Sequence, residues 1–171
     1  MNACIIGASG YSGRELISLL LRHPHANLLV ITSRTLAGRK LEDCIPKLRG
    51  KGKDLHFTNP SLDELCQNAE IEIFFLALPH GTASNYAIPL LEAGKKVIDL
   101  SADFRLDSTE KYLEYYGVAH TSESWLKDAQ YGLPELFQLS WDKSPLIASP
   151  GCYPTSILIP LAPLLSENLI E

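Results

Sequence analysis

A chain of 171 residues with 46 % hydrophobic and 20 % charged side chains has the composition of a globular domain with a real core. Its formal net charge of −5 argues against nucleic acid or an anionic membrane as the main partner, and no segment approaches the roughly 20 apolar residues of a membrane helix. The four cysteines show neither CxxC spacing nor the histidine pairing of zinc sites, so we predict no metal site and free thiols in a reducing, cytoplasmic compartment.

Short apolar runs alternate with helical patterns along the chain. In chain order we predict a strand at 3–6, a helix at 12–23, strands at 28–32 and 56–57, a helix at 61–69, a strand at 71–78, a helix at 81–94, a strand at 96–100, a helix at 109–116 and a strand at 145–149. This alternation predicts an α/β fold, a Rossmann-like and mostly parallel sheet with helices on both faces. We assign it to residues 1–150.

Three details qualify these elements. Ser61 and Glu64 have the spacing of a capping box at the start of their helix. Pro89 must kink the helix at 81–94 or limit its first part. The polar segment at 36–54 is predicted to be a solvated surface excursion between strands.

The segment GASGYSG joins the first predicted strand to the first predicted helix and contains Gly7, Gly10 and Gly13. This GxxGxxG spacing differs from the commonest dinucleotide fingerprint, GxGxxG, but the physical roles are the same. Gly7 permits the tight turn, Gly10 lets the backbone approach a pyrophosphate, and Gly13 lets the helix pack close to the sheet. The N–H groups at the helix start face the anion. We therefore predict nucleotide binding here, with a purely structural turn as the alternative.

The end of the second predicted strand indicates which nucleotide is preferred. A site for NAD places an acidic residue about 20 residues after the glycines, where it binds the ribose 2′-hydroxyl. This chain instead has Ser33 and Arg34 after that strand, and the next acid is Glu42. A hydroxyl and a guanidinium are donors that match a 2′-phosphate. The hypothesis is NADP rather than NAD, and the alternative is that Arg34 is only a surface arginine.

The motif SPGCYPT places Cys152 between the last predicted strand and a long apolar segment with Pro154 in its first turn. A helix N-terminus stabilises a thiolate, the nucleophilic form of cysteine. Pro160 and Pro163 should kink this helix or break it into shorter turns. We assign residues 151–171 to the first helix of a second domain whose remainder is expected beyond this chain. Cys4, within the first strand, is predicted to be a packing residue.

Four motifs occur in one order, GASGYSG, SADFRL (101–106), YGLPEL (131–136) and SPGCYPT (149–155). Together they resemble the motifs of N-acetyl-γ-glutamyl-phosphate reductases, the NADP-dependent enzymes of arginine biosynthesis, whose wider relatives are the aspartate-semialdehyde dehydrogenases. The resemblance covers essentially this whole chain but only the amino-terminal part of the family. It implies NADPH-dependent reduction of N-acetyl-γ-glutamyl phosphate to N-acetylglutamate 5-semialdehyde through a cysteine thioester, with release of phosphate.

The resemblance also implies a role for individual residues. Cys152 would be the nucleophile, Arg105 a ligand of the substrate phosphate, and Glu135 a residue that supports the substrate site. With Ser33 and Arg34 from the preceding argument, the predicted NADP contacts are Gly7, Ser9, Gly10, Tyr11, Ser12, Gly13, Ser33, Arg34, Pro79, His80 and Ser101. For Arg105 and His80 a structural ion pair or capped turn is the alternative. The family's catalytic histidine falls beyond residue 171, so we expect this chain to bind NADP but to turn over little alone, and the full-length enzyme to be a homo-oligomer.

Two other functions stay open. The first is an aspartate-semialdehyde dehydrogenase, which performs the same chemistry on a shorter acid, although YGLPEL and SADFR favour the N-acetylglutamyl substrate. The second is a non-catalytic, NADP-binding module that senses redox state. Such a module needs the glycine loop but has no use for SPGCYPT.

Overall fold

The computed structural model describes residues 1–52 and 54–170. In chain order the elements are β1 (Asn2–Ile6), α1 (Tyr11–Leu20), β2 (Asn27–Thr32), α2 (Leu41–Cys44), a 3₁₀ helix (Pro46–Leu48), β3 (Phe57–Thr58), α3 (Leu62–Gln67), β4 (Ile73–Leu76), α4 (Ser84–Glu92), β5 (Lys96–Asp99), α5 (Thr109–Tyr116), α6 (Glu123–Asp128), β6 (Gln130–Tyr131), β7 (Leu146–Ala148) and α7 (Cys152–Ser166). Every strand and helix predicted from the sequence has a counterpart, with ends displaced by a few residues.

The strands form one seven-stranded sheet in the order β3-β2-β1-β4-β5-β7-β6, and all neighbouring strands are parallel. The predicted Rossmann-like α/β fold is therefore confirmed. The chain builds outward from β1 to β3 on one side and then restarts at β4 on the other. The boundary between β1 and β4 is thus the point at which the winding reverses, and nucleotides bind outside the carboxyl ends of strands at such a point.

The strand register aligns five residues in one row at the carboxyl edge of the sheet. Ile6 pairs with Leu76, Leu76 with Asp99, Asp99 with Ala148, and Ala148 with Tyr131. The segments that follow these strands therefore all leave the sheet from the same edge. They include the four sequence motifs, and this is how the fold collects residues that are far apart in the chain.

Two apolar clusters cover the two faces of the sheet. Successive residues of β1 alternate between them, because side chains of a strand point to opposite faces. Ile5 packs in the cluster that contains Ile17 of α1, whereas Cys4 packs in the cluster that contains Leu90 of α4. Burial raises the pKa of the Cys4 thiol to about 12, so this cysteine is a packing residue, as predicted.

The prediction for residues 36–54 is wrong in its central part, while Lys53 lies outside the described residues. Leu41, Ile45 and Leu48 are buried against the cluster beneath α1, in α2, the 3₁₀ helix and the residue between them. Their spacing of four and then three residues is that of one helical face. The charged residues between them concealed this signal.

The remaining differences concern helix ends and prolines. The capping box is present, with the Glu64 N–H donating to Ser61 Oγ over 3.2 Å and the Ser61 N–H donating to the Glu64 carboxylate over 2.7 Å. Helix α4 begins only at Ser84 and contains Pro89. Helix α7 is continuous through both of its internal prolines, so it is not broken into shorter turns, and none of its residues is buried. Within residues 1–52 and 54–170, no helix is long and apolar enough to cross a membrane.

Candidate active site at the carboxyl edge of the sheet

The glycine loop is shaped by close contacts within the protein. Gly7 has φ +84°, and a Cβ atom there would lie 2.3 Å from the carbonyl oxygen of Ala77, the first residue after β4. A Cβ at Gly13 would lie 2.6 Å from Cα of Ala8. By contrast, a Cβ at Gly10 would meet only the Gly7 oxygen at 3.6 Å. The chain itself thus requires glycine at the turn and inside α1, whereas Gly10 leaves open space above the helix start.

The N-cap residue of α1, Gly10, lines a cleft at the point where the winding reverses. The first N–H groups of a helix have no intrahelical partner, and Gly10, the N-cap, has no side chain that could accept a hydrogen bond from them. The cleft has a volume of about 330 Å³ and is lined by Gly7, Gly10, Ser33, Arg34, Leu78 and Pro79. A larger cavity of about 720 Å³ is lined by the start of α1, α2 and the 3₁₀ helix rather than by strand ends. The smaller cleft is the one that suits a nucleotide.

Ser33 and Arg34 lie at this cleft in different environments. Ser33 is buried, and its Oγ donates to Ser9 Oγ over 2.9 Å, which joins the end of β2 to the glycine loop. Arg34 is exposed and forms neither an ion pair nor a side-chain hydrogen bond with the described part of the chain. Its guanidinium is therefore free to meet an anionic group at the cleft.

Cys152 is the first residue of α7 and follows β7 by four positions. Its side chain is exposed, whereas Cys4 is buried and Cys66 and Cys44 are partly buried. The N–H of Thr155 donates to the Gly151 carbonyl over 3.0 Å, and Pro154 has no N–H. The two remaining N–H groups of this first helical turn, those of Cys152 and Tyr153, have no intrahelical partner. An exposed thiol thus lies beside two donors.

Arg105 connects the turn before Cys152 to the loop after β5. Its Nε donates to the Ser149 carbonyl over 2.8 Å, and its Nη2 donates to the Leu100 carbonyl over 2.9 Å. A Cβ added to Gly151 would lie 3.2 Å from Arg105 Nη1. The guanidinium therefore lies beside the N-terminus of α7. There it holds two loops together, in addition to any contact with a substrate.

The YGLPEL segment approaches the same turn from the other side. The Gly132 N–H donates to the Ala148 carbonyl over 2.7 Å, and a Cβ at Gly132 would lie 2.8 Å from Cγ2 of Ile147. Glycine is therefore required for this loop to pass close to β7. Glu135, three residues further along, is exposed at this edge of the sheet.

The model for the NAD-binding domain of semialdehyde dehydrogenases matches residues 2–143 of the chain. The chain belongs to the semialdehyde dehydrogenase family. The match covers β1 to β6, including the glycine loop and the turn that contains Arg105. A nicotinamide nucleotide is thus the cofactor class of this domain.

Curated relatives indicate which enzymes of the semialdehyde dehydrogenase family the chain is similar to. The chain is 50 % identical over 167 residues to an N-acetyl-gamma-glutamyl-phosphate reductase of Desulfotalea psychrophila, covering 98 % of the chain and 47 % of the relative. It is 45 % identical over 172 residues to the reductase of the same name from Akkermansia muciniphila, covering 100 % and 49 %. The resemblance read from the four motifs is confirmed, and the chain spans about half the length of the curated relatives it matches.

Among solved structures, aspartate semialdehyde dehydrogenase II of Vibrio cholerae, in complex with ASA, superposes with a TM-score of 0.66 at 19 % identity. The superposition covers 96 % of this chain and 46 % of that one. At this identity the likeness supports the fold alone.

The other predicted cofactor residues of this semialdehyde dehydrogenase domain lie at the same edge. Pro79 and His80 are exposed in the loop after β4, and the His80 ring centroid is 6.1 Å from that of Tyr116. Tyr11 and Ser12 are exposed in the first turn of α1, but they line the cavity of about 720 Å³ rather than the cleft. Ser101 differs, because it is buried and its hydroxyl is used within the protein.

Two buried carboxylates in this site were not predicted from the sequence. Asp99 ends β5 and accepts from the N–H and Oγ of Ser101 over 2.9 and 2.7 Å. Asp103 accepts from the N–H groups of Gly81 and Ser84 over 2.6 and 2.9 Å. The available signal was the pair of acids in VIDLSAD, one at the end of an apolar strand and one four residues later. An acid is buried at such a position only if hydrogen-bond donors surround it.

Asp99 makes the stability of the domain depend on pH. Burial raises its pKa to about 6, although the hydrogen bonds from Ser101 oppose this rise. A raised pKa in the folded state contributes stability that is fully present below about pH 4 and is lost as the pH rises through about 6. For a shift of this size the loss is about 3 kcal/mol. We expect the free energy of unfolding of Asp99→Asn, minus that of the wild type, to increase by about 2.4 kcal/mol, most of this amount, between pH 4 and 7.

Urea denaturation at several pH values measures that difference. Asp107→Asn is the control, because its exposed carboxylate lies beside Lys111 and has a lowered pKa, so its pH dependence has the opposite sign. A difference between Asp99→Asn and wild type that does not change with pH contradicts the prediction.

Proposed function

We propose that this chain provides the NADP site and the nucleophile of an enzyme that reduces N-acetyl-γ-glutamyl phosphate to N-acetylglutamate 5-semialdehyde and phosphate. The observation that carries the proposal is the position of the exposed Cys152 thiol at the start of α7. The turn that leads to it and the glycine loop both follow strands at the same edge of one parallel sheet. The names of the curated relatives support the choice of substrate.

The residues present fit a dinucleotide at this edge. Gly7 makes the turn, Gly10 leaves space, and the first N–H groups of α1 are available for a pyrophosphate. From β1 to β7 the sheet spans three inter-strand spacings, or about 14 Å. An extended dinucleotide bound at the glycine loop can therefore extend along the edge towards Cys152. When bound, NADPH supplies the hydride that reduces the acyl carbon.

A carboxylate does not accept hydride, so the acyl group must be activated. A cysteine suits this chemistry because it converts the acyl phosphate into a thioester, whose carbonyl carbon accepts hydride. The Cys152 thiolate attacks the acyl carbon, the bond to the phosphate oxygen breaks, and phosphate leaves with its electron pair to give a thioester. After reduction, the thiohemiacetal collapses to the aldehyde and returns the thiolate to Cys152. The protein thus divides one difficult substitution into two easier steps.

The residues around Cys152 suit the charges that this reaction develops. The N–H groups of Cys152 and Tyr153 are the donors for the oxyanion of the tetrahedral intermediates. The N–H groups of Arg105 that do not bind Ser149 and Leu100 are available for the substrate phosphate. Arg105 would then hold both the leaving group and the turn that carries the nucleophile.

A panel of acyl phosphates tests the proposed substrate with the complete protein. N-acetyl-γ-glutamyl phosphate is expected to be reduced with the highest kcat/KM, and β-aspartyl phosphate to be a poor substrate. The reverse order would identify an aspartate-semialdehyde dehydrogenase. NADP binding without turnover of either compound would identify a redox-sensing module.

Substitution of Arg34 tests the prediction that the enzyme prefers NADP to NAD. We expect Arg34→Ala to raise the KM for NADPH at least about tenfold, because charge-assisted hydrogen bonds to a 2′-phosphate are lost. The KM for NADH should change little. Steady-state kinetics with both cofactors measures this, with Arg22→Ala as the control, since Arg22 lies after the far end of α1 and donates to Ser18. An unchanged KM for NADPH would remove the assignment.

A further inference from the structure

One buried carboxylate holds the loop between β4 and α4, which comprises residues 77–83. Asp103 is completely buried, and its Oδ1 accepts from the Gly81 N–H over 2.6 Å while its Oδ2 accepts from the Ser84 N–H over 2.9 Å. The Tyr112 hydroxyl donates to Oδ1 over 3.1 Å. The middle of the loop, Pro79 to Gly81, is exposed. The position of this loop therefore depends on a side chain that comes from another strand end.

The same short turn also holds the segment before Cys152. Residues 101–105 follow β5, and Arg105 at the end of this turn donates to the Ser149 carbonyl over 2.8 Å. The turn is itself braced, because the Asp103 N–H donates to Ser101 Oγ over 3.0 Å and that hydroxyl donates to Asp99 over 2.7 Å. One five-residue turn thus fixes a loop beside the nucleotide cleft and the turn that leads to the thiol.

We propose that Asp103 is a positioning residue that sets the loop of residues 77–83, and thereby the reactive end of the bound cofactor, relative to the Cys152 thiol. This rests on the proposed function. Leu78 and Pro79 of this loop line the cleft, and β4 lies between the glycine loop and the strands that lead to Cys152, so a cofactor bound in the cleft would pass this loop on its way to the thiol.

The chemistry of this position requires a carboxylate. An ionised carboxylate accepts at both oxygens and can satisfy three donors together, whereas asparagine has one acceptor oxygen and places an NH₂ group against a donor. In Asp103→Asn the N–H of Gly81 or Ser84 must therefore lose its partner. The loop is released on one side, while the bonds from Arg105 to the cysteine turn are retained.

The test compares the wild type with Asp103→Asn, using the complete protein. Without cofactor, hydrogen exchange of the N–H group of Gly81 or of Ser84, whichever faces the new NH₂ group, should become at least about tenfold faster in the variant, with no change in β1. The Kd for NADPH should rise about tenfold. The primary deuterium isotope effect on kcat, measured with NADPH deuterated at the transferred hydrogen, should increase, because a misplaced hydride donor makes that step more rate-limiting. A merely destabilised protein would lower the active fraction and leave the isotope effect unchanged.

Asp107→Asn is the matched control, since Asp107 is exposed and paired with Lys111 in the segment that follows, and it should behave as wild type. If Asp103→Asn does not fold, Tyr112→Phe replaces it, because it removes one donor to the same carboxylate; a twofold to fivefold rise in the Kd for NADPH is expected. Unchanged exchange, Kd and isotope effect in the variant that folds would overturn the proposal. A wild-type protein that neither binds NADPH nor reduces the acyl phosphate would instead refute the proposed function.

Discussion

Replacing Cys152 by serine is expected to reduce turnover of N-acetyl-γ-glutamyl phosphate by on the order of 10,000-fold or more. A serine hydroxyl is a much weaker nucleophile near neutral pH than a cysteine thiolate, and an alkoxide is a poorer leaving group than a thiolate when the intermediate collapses. The Kd for NADPH should stay within about twofold of the wild-type value, because the glycine loop lies three strands away. Steady-state NADPH oxidation and a fluorescence titration measure the two quantities.

Cys44→Ser is the matched control for this substitution. Cys44 is a partly buried thiol in α2, outside the row of strand ends, and its replacement should leave kcat and the Kd for NADPH near the wild-type values. Cys66 is not an alternative nucleophile of equal quality, since burial raises the pKa of its thiol. The assignment is contradicted if Cys152→Ser keeps more than about one hundredth of the activity, or if Cys44→Ser loses as much as Cys152→Ser.

Gly7→Ala is expected to abolish measurable NADPH binding and to lower the free energy of unfolding by about 2–5 kcal/mol. The positive φ at Gly7 strains any other residue, and the added Cβ would lie 2.3 Å from the carbonyl oxygen of Ala77. Either β1 or β4 must then move, and the nucleotide cleft lies at the carboxyl ends of both strands. Urea denaturation and NADPH titration of the folded variant measure the two effects.

Gly38→Ala separates backbone strain from the steric clash. Gly38 has nearly the same φ, +83°, but an added Cβ there would meet nothing within 4 Å. This variant should lose only about 1 kcal/mol and should bind NADPH as the wild type does. If Gly7→Ala is no more destabilising than Gly38→Ala, the close approach of β1 and β4 is not what requires glycine at the loop.

The sequence was sufficient for the fold because each element has a strong local pattern. Apolar runs marked the buried strands, and the Ser61 and Glu64 spacing marked a helix start that the structure confirms. The parallel arrangement follows from the alternation of strands and helices, and parallel strands place their carboxyl ends at one edge. The prediction that Cys152 and the glycine loop belong to one site is a consequence of that topology.

The contacts that the sequence did not reveal are long-range and polar. The Arg105 bond to the Ser149 carbonyl spans 44 positions, and the Asp103 bond to the Gly81 N–H spans 22. No local pattern encodes such partners, because a buried acid is recognised only once its donors are placed around it. Leu41, in contrast, began a helical apolar pattern that was readable in the sequence but was hidden among charged neighbours.

The central claim, that Cys152 is acylated by the substrate, is tested most directly by mass spectrometry of the complete protein mixed with N-acetyl-γ-glutamyl phosphate in the absence of NADPH. We predict one N-acetylglutamyl adduct per chain, located on the peptide that contains Cys152, lost on treatment with hydroxylamine and absent from Cys152→Ser. An adduct on a different residue, or a wild-type protein that reduces the substrate but forms no adduct, would contradict this account.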